Sequence, residues 1–192
     1  MTSRAYDLRR RAGVMGAFIL AIWLVAGLDA TVLGGRLQHF GIQPRTEHGL
    51  LGIIAAPLLH GGIDHLVANT IGVLVFGGLV ILRSTAHFWT VTLIGALASG
   101  AGTWLFGRPA LHIGASGIIF AYFGYLLLTG WFERRPGAVL LSIAVFLVWG
   151  PMLYSILPMQ SGVSWEGHLF GLLGGILSAW LLVRWRRARR AA

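Results

Sequence analysis

The sequence has no cysteine and no lysine, and only six of its 192 residues are acidic. Without cysteine there can be no disulfide and no thiolate metal site, and the redox compartment leaves no mark. Charged residues make up 11% of the chain, against about 25% in a soluble domain. Hydrophobic residues make up 56%. A soluble fold of this length cannot hide that much apolar side chain, whereas a membrane protein can turn it toward lipid. Internal repeats and low-complexity linkers are also lacking, which weighs against a transporter built from two related halves. The length suits one compact domain with no separate soluble module.

All fifteen basic residues are arginine, giving a formal net charge of +9. A strongly basic chain can signal nucleic acid. Here the arginines lie between and beyond apolar runs, so membrane topology explains them and no nucleic-acid partner is expected. A spanning helix needs roughly 20 apolar residues, and six runs qualify. They are 14–33, 62–82, 86–106, 114–132, 138–157 and 164–183. The first is interrupted near its end by Asp29. A signal peptide would also open on basic residues such as Arg9, Arg10 and Arg11, and Leu28-Asp29-Ala30 loosely resembles a cleavage site. The apolar character resumes at Thr31, which favours a retained helix.

With six spans, twelve arginines fall on one side: Arg4, Arg9, Arg10, Arg11, Arg83, Arg134, Arg135, Arg184, Arg186, Arg187, Arg189 and Arg190. Arg36, Arg45 and Arg108 fall on the other. The positive-inside rule then puts both termini in the cytoplasm. The expected organisation is a cytoplasmic basic segment at 1–13, a membrane domain at 14–183 and an Arg-rich tail at 184–192 that anchors to acidic lipid heads. The long first loop becomes extracytoplasmic. Leu50, Leu51, Gly52, Ile53 and Ile54 within it are too short to span and predict an interfacial or re-entrant segment.

Polar residues inside spans mark function by default, because burying them is costly. Four stand out: His65, Asn69, Ser116 and His168. A serine in a membrane helix ordinarily bonds back to a carbonyl one turn earlier. Ser116, however, sits in Gly114-Ala115-Ser116-Gly117 at the start of the fourth span. Glycines there let the backbone turn tightly and other groups approach. A helix N-terminus also offers free N–H groups to a developing negative charge. The segment is not the Gly-x-Ser-x-Gly elbow of soluble hydrolases, because Ile118 takes the last position.

His168, near the extracytoplasmic end of the sixth span, could simply bond a carbonyl. Yet Gly171 and Gly175 follow on nearly the same helix face, four residues apart, and Gly117 and Ala121 form a matching small face on the fourth span. Small residues at that spacing let helices approach closely. If the faces meet, Ser116 and His168 share one depth and the imidazole can take the serine proton. His65 and Asn69, four apart on one face of the second span, could glue helices together. They could equally act as donors to an oxyanion. His60 lies close to His65, but no third ligand has matching spacing, so no metal or other cofactor is expected.

The segments His60-Gly61-Gly62-Ile63-Asp64-His65-Leu66-Val67-Ala68-Asn69, Gly114-Ala115-Ser116-Gly117, and His168-Leu169-Phe170-Gly171 continuing to Gly175 together resemble the rhomboid family. Each is weak alone; their order on spans two, four and six is more specific. The resemblance implies an all-α membrane protein, a six-transmembrane-helix rhomboid-like bundle of the small bacterial type. It implies an intramembrane serine protease with a Ser–His dyad, Ser116 as nucleophile and His168 as base. His65, Asn69 and the Ser116 N–H would form the oxyanion hole, and His60 would have a structural or solvent-side role. The implied partners are transmembrane protein substrates within the bilayer, cleaved near the extracytoplasmic surface of a bacterial plasma membrane. A catalytically inactive chaperone of the same superfamily is the alternative, although loss of the serine or histidine is its usual sign. A small transporter subunit ranks lower.

Two positions depart from the family pattern. Leu51 and Gly52 stand where many relatives carry Trp-Arg in the first loop, which puts that loop's anchoring in question. Phe120 replaces a common tyrosine, keeping a ring to stack on the imidazole but losing the hydroxyl. From Ser116 to Phe132 a helix rises roughly 25 Å, at about 1.5 Å per residue. In a core about 30 Å thick, the serine then lies several ångströms below the outer surface. A shallow polar cavity of His65, Asn69, His112 and Glu166 is expected above it.

Overall fold

The computed structural model describes the backbone of residues 3–191 and the side chains of residues 5–189. The side chains of Arg4 and Arg190, and residues 1, 2 and 192 of the expected end segments, lie outside the described residues. Among the described residues eight α-helices carry the fold: α1 (Ser3–Leu28), α2 (Glu47–Ala55), α3 (Ile63–Gly72), α4 (Gly78–Arg83), α5 (Thr85–Phe106), α6 (Ser116–Glu133), α7 (Pro136–Trp149) and α8 (Trp165–Ala191). Among the described residues there is no strand; extended pairing is limited to one bridge between Ile42 and His112.

The helices merge into longer rods. α1 runs on into a π turn at Asp29–Leu33, beginning at the aspartate that interrupts the apolar run. α3 and α4 join through a π turn at Val73–Gly77, and α7 extends into a 3-10 turn at Gly150–Ile156. Five rods are long and apolar enough to cross a membrane: Ala5–Leu33, Ile63–Arg83, Thr85–Phe106, Pro136–Ile156 and Trp165–Arg189. The remaining long helix, α6, has 18 residues and lies at the centre, packed against α5, α7 and α8. Most of its residues are buried, including Tyr122 and Tyr125. A helix sheathed by protein need not match the hydropathy of its lipid-facing neighbours. Its tyrosines find partners inside, with Tyr122 Oη 2.6 Å from Thr92 Oγ1 and Tyr125 Oη 2.7 Å from His87 Nδ1.

Local chemistry sets the helix ends. Ser84 turns the chain between α4 and α5, its hydroxyl accepting from the Ala86 N–H, as an N-cap should. Arg134 takes a left-handed conformation after α6, and Pro136 opens α7, where a missing N–H costs nothing. α1 runs unbroken through residue 13 and α8 through residue 183, so both helices continue past the expected ends of the membrane domain.

The arginines separate by end. Arg11 donates to the Leu82 carbonyl, Arg83 and Arg186 both pair with Glu133, and Arg187 donates to the Phe132 carbonyl. At the opposite end, Arg45 donates to the Gly107 carbonyl and Arg108 pairs with Glu166. Such segregation requires an even number of crossings between the two chain ends.

The first loop is anchored without a Trp-Arg pair. α2 packs on α5, and a Cβ on Gly52 would lie 2.4 Å from the backbone of Gly41 and Ile42, so no larger residue fits there. Arg45 and Trp104 take over the anchoring: the Trp104 indole N–H donates to the Thr46 carbonyl at 2.8 Å, and the Arg45 N–H donates to the Trp104 carbonyl at 3.0 Å. Leu50, Leu51 and Ile54 stay exposed along an apolar face, as an interfacial segment requires.

Candidate active site

The nucleophile candidate owes its position to glycines on both helices. Gly114 has φ +111, and a Cβ there would sit 2.5 Å from His65 Nε2. The backbone conformation and the touching imidazole both demand glycine. One turn deeper, a Cβ on Gly171 would lie 2.1 Å from the Gly117 carbonyl oxygen, and one on Gly175 would lie 1.9 Å from that of Ala121. α6 and α8 therefore approach backbone to backbone along the two small faces picked out in the sequence. Gly117 leaves room as well for Ser99, whose hydroxyl donates to the Gly167 carbonyl at 2.9 Å and ties α5 to α8.

This contact brings Ser116 and His168 to the walls of two cavities at once. One, of about 600 Å³, is the more polar of the two and is also lined by His65, Asn69, Arg108 and His112. The other, of about 310 Å³, is apolar and opens between the second and fourth rods, past Gly72, Phe76, Trp149 and Met152. Among the described residues no hydrogen bond joins Ser116 to His168; such contacts are often loose before substrate binds.

His168 is held from both sides. Its ring stacks on Phe120 with centroids 4.2 Å apart and planes 12° from parallel, so the substituted aromatic keeps the stacking role. Nδ1 lies 3.1 Å from the Ser155 carbonyl oxygen. A carbonyl only accepts, so Nδ1 carries the proton and Nε2 keeps its lone pair. The sequence offered no sign of Ser155, because its backbone does the work. The 3-10 turn after Pro151 delivers that carbonyl.

His65 Nδ1 accepts from the Gly61 N–H at 3.5 Å, which leaves Nε2–H as a donor beside Gly114. Asn69 is buried; its Nδ2 donates one hydrogen to the His65 carbonyl at 2.8 Å, and its Oδ1 has no partner. His60 stands slightly apart, its ring centroid 5.0 Å from that of His65. It lines a separate cavity of about 240 Å³ with Asp29, Gln38 and Trp23. Burial, and then the neighbouring His65, push the His60 pKa down to about 4, against a smaller upward pull from the Leu58 carbonyl.

One expectation fails. Glu166 does not line the polar cavity; it is 1% exposed and turns away to meet Arg108. A carboxylate in the first turn of a helix gains more from a guanidinium and a backbone N–H than from an open cavity. Arg108 and Ser164 line the cavity instead and were missed. Ser164 was legible as an N-cap residue, since it directly precedes α8.

The rhomboid domain profile matches residues 47–185, from α2 into α8. The chain belongs to the rhomboid family. An uncharacterized protein of Mycobacterium tuberculosis, Rv1337, is 40% identical over 183 residues, covering 91% of this chain and 76% of its own. YdcA of Bacillus subtilis, named as a candidate rhomboid protease, is 30% identical over 182 residues and covers 90% of each chain. The rhomboid protease GlpG of Yersinia enterocolitica is 26% identical over 185 residues, 90% of this chain and 64% of its own. Rhomboid is a family of intramembrane proteases, and this rhomboid is an integral, multi-pass membrane protein.

Proposed function

We propose that this rhomboid is an intramembrane serine endopeptidase of the bacterial plasma membrane, cleaving transmembrane substrates near the extracytoplasmic face with both termini in the cytoplasm. The observation that carries the reading is that Ser116 and His168 border both cavities. The apolar cleft between the second and fourth rods suits a substrate segment arriving from lipid. The polar cavity, at the loop end of the bundle, suits the water that must finish the reaction.

Ser116 Oγ attacks the scissile carbonyl carbon while His168 Nε2 takes the hydroxyl proton. The carbonyl oxygen becomes an oxyanion, stabilised by the Ser116 N–H, the His65 Nε2–H and the free N–H of Asn69. When the C–N bond breaks, His168 returns the proton to the leaving amine and an acyl ester remains on Ser116. Water from the polar cavity then attacks the ester, giving its proton to Nε2, and Oγ recovers a proton as the acid leaves. Gly114, Gly117, Phe120, Gly171 and Gly175 support these groups without reacting.

The arginine bias supports the orientation, and a reporter fused to the C-terminus tests it. A fluorophosphonate or isocoumarin probe tests the chemistry. Covalent label should appear on Ser116 in the wild type and vanish in Ser116→Ala. A purified, folded wild type that takes no label would move the reading to an inactive membrane chaperone.

A further inference from the structure

We propose that Glu166 and His112 are positioning residues, which clasp the segment leading into Ser116 to the segment leading into His168. The proposal rests on reading those two residues as the dyad. Ser116 and His168 belong to different helices, so something outside the pair must set their spacing. The Gly171–Gly117 and Gly175–Ala121 contacts hold the two helices together below the pair. They act on the helix bodies; the segments that enter the helices above the pair need a hold of their own, and the clasp lies there.

The clasp has two strands. In the first, the Arg108 N–H donates to Glu166 Oε1 at 2.9 Å, and the Arg108 Nε lies 3.9 Å from the same oxygen. Its Nη2 donates to the Val163 carbonyl. In the second, His112 Nε2 is 3.2 Å from the Arg108 carbonyl oxygen and Nδ1 is 2.7 Å from Ser164 Oγ. The carbonyl can only accept, so Nε2 bears the proton and the Ser164 hydroxyl donates to Nδ1. Ser164 Oγ accepts in turn from the Gly167 N–H at 3.4 Å. In this second strand donation runs from the first turn of α8 into the loop that ends at Ser116; in the first it runs from Arg108 of that loop to Glu166 and Val163. The backbone of His112 also exchanges both its hydrogen bonds with Ile42, at 2.9 and 3.0 Å, so the clasp is footed in the first loop.

Stability alone does not account for Glu166. A buried ion pair is often no more stabilising than apolar residues of the same volume, and Glu166 Oε2 is buried with no partner at all. Position explains it better, since Glu166 stands two residues before His168. A misplacement of about 1 Å between reacting groups can cost about a hundredfold in rate.

The test uses the purified full chain in detergent, one transmembrane substrate cut at a mapped bond, and fluorophosphonate labelling of Ser116. Glu166→Ala should lower kcat and the labelling rate about a hundredfold while KM stays within about twofold. Glu166→Gln keeps an oxygen for the Arg108 N–H and should recover to within about tenfold of wild type. Ser164→Ala, which removes one hydroxyl, should slow both rates about tenfold with its thermal midpoint little changed. A folded Glu166→Ala with wild-type kcat overturns the clasp, and so does a Gln variant no better than Ala. If Glu166→Ala does not fold, wild-type kcat in Ser164→Ala overturns it instead. A wild type that neither cuts nor labels defeats the protease reading itself, and the clasp falls with it.

Discussion

At the end of the bundle that carries Glu133, a buried carboxylate meets two guanidinium groups, with Arg186 Nη1 at 3.3 Å and Arg83 closer still. Beside it His87 and Tyr125 are hydrogen-bonded to one another. At the end that carries Ser116, His60 Nε2, Asn69 Oδ1, Thr103 Oγ1 and Glu166 Oε2 are buried without partners, whereas at the Glu133 end, among the described residues, only Arg11 Nε and Thr85 Oγ1 are. An orphaned buried polar atom costs about 1–3 kcal/mol, so the second end carries the larger penalty. The same lipid-immersed helices supply both ends. The comparison teaches that burial of polar groups has two uses here: at one end they close the bundle and bind the Arg-rich end of α8 to it, and at the other Asn69 keeps an unpaired atom beside the cavities that Ser116 and His168 border.

The most severe test removes the open end's chemistry. Ser116→Ala and His168→Ala should each cut the rate at least about 10⁴-fold while leaving the helix content unchanged, and the double variant should be no worse than either, because nucleophile and base act as a unit. Multiplicative losses in the double variant would separate the two residues. Next in size is Gly171→Val, whose Cβ alone would meet the Gly117 carbonyl at 2.1 Å. It should prise α8 from α6 and remove most activity in both membranes and detergent; unchanged cleavage would mean the contact does not set the site. Asn69→Ala removes one of three donors to the oxyanion and should cost about a hundredfold, near 3 kcal/mol. It should remain slow but measurable where Ser116→Ala is silent.

The closed end should respond the opposite way. Glu133→Gln leaves Arg83 and Arg186 facing each other without their shared carboxylate. Breaking a buried pair from one side costs about 3 kcal/mol. The thermal midpoint should fall while kcat, measured below that midpoint, keeps its wild-type value. A loss of kcat at unchanged stability would show that the two ends are coupled and would break the comparison.

Much of this architecture was legible in the sequence because membrane physics is strict. Every span had to supply a long apolar run, and the small faces at Gly117, Ala121, Gly171 and Gly175 had few other uses. The arginine pattern separated the two ends for the same reason. What remained hidden was carried by backbone or by long-range partners. The Ser155 carbonyl has no side-chain signature. Glu166 looked like a cavity residue because its position near His168 is visible in sequence, whereas its partner Arg108 lies 58 residues away. The missing Trp-Arg pair looked like a weakness because Arg45 and Trp104 meet only in three dimensions. α6 was predicted as a span like the others, and its sequence does not say that it is the one least exposed to lipid.

The smallest expected effect concerns His60, which lies between the two regimes, since it is buried but outside the spanning rods. Its neutral form is the one the fold accommodates, with a pKa near 4 against about 6.5 for an exposed imidazole. The folded value is depressed, so the unfolded chain binds the proton first as pH falls. Stability is then fully present above about pH 6.5 and declines toward pH 4. His65, in ring contact, opposes a second charge beside it, and Asp29 lines the same 240 Å³ cavity on the far side. In detergent the thermal midpoint of the wild type should therefore drop between pH 6.5 and 4. His60→Gln cannot take a proton and should show a shallower drop over the same interval, even if its midpoint at pH 7.5 is lower. Equal slopes in the two proteins would assign the acid sensitivity to other groups and would mean that folding does not depress the His60 pKa.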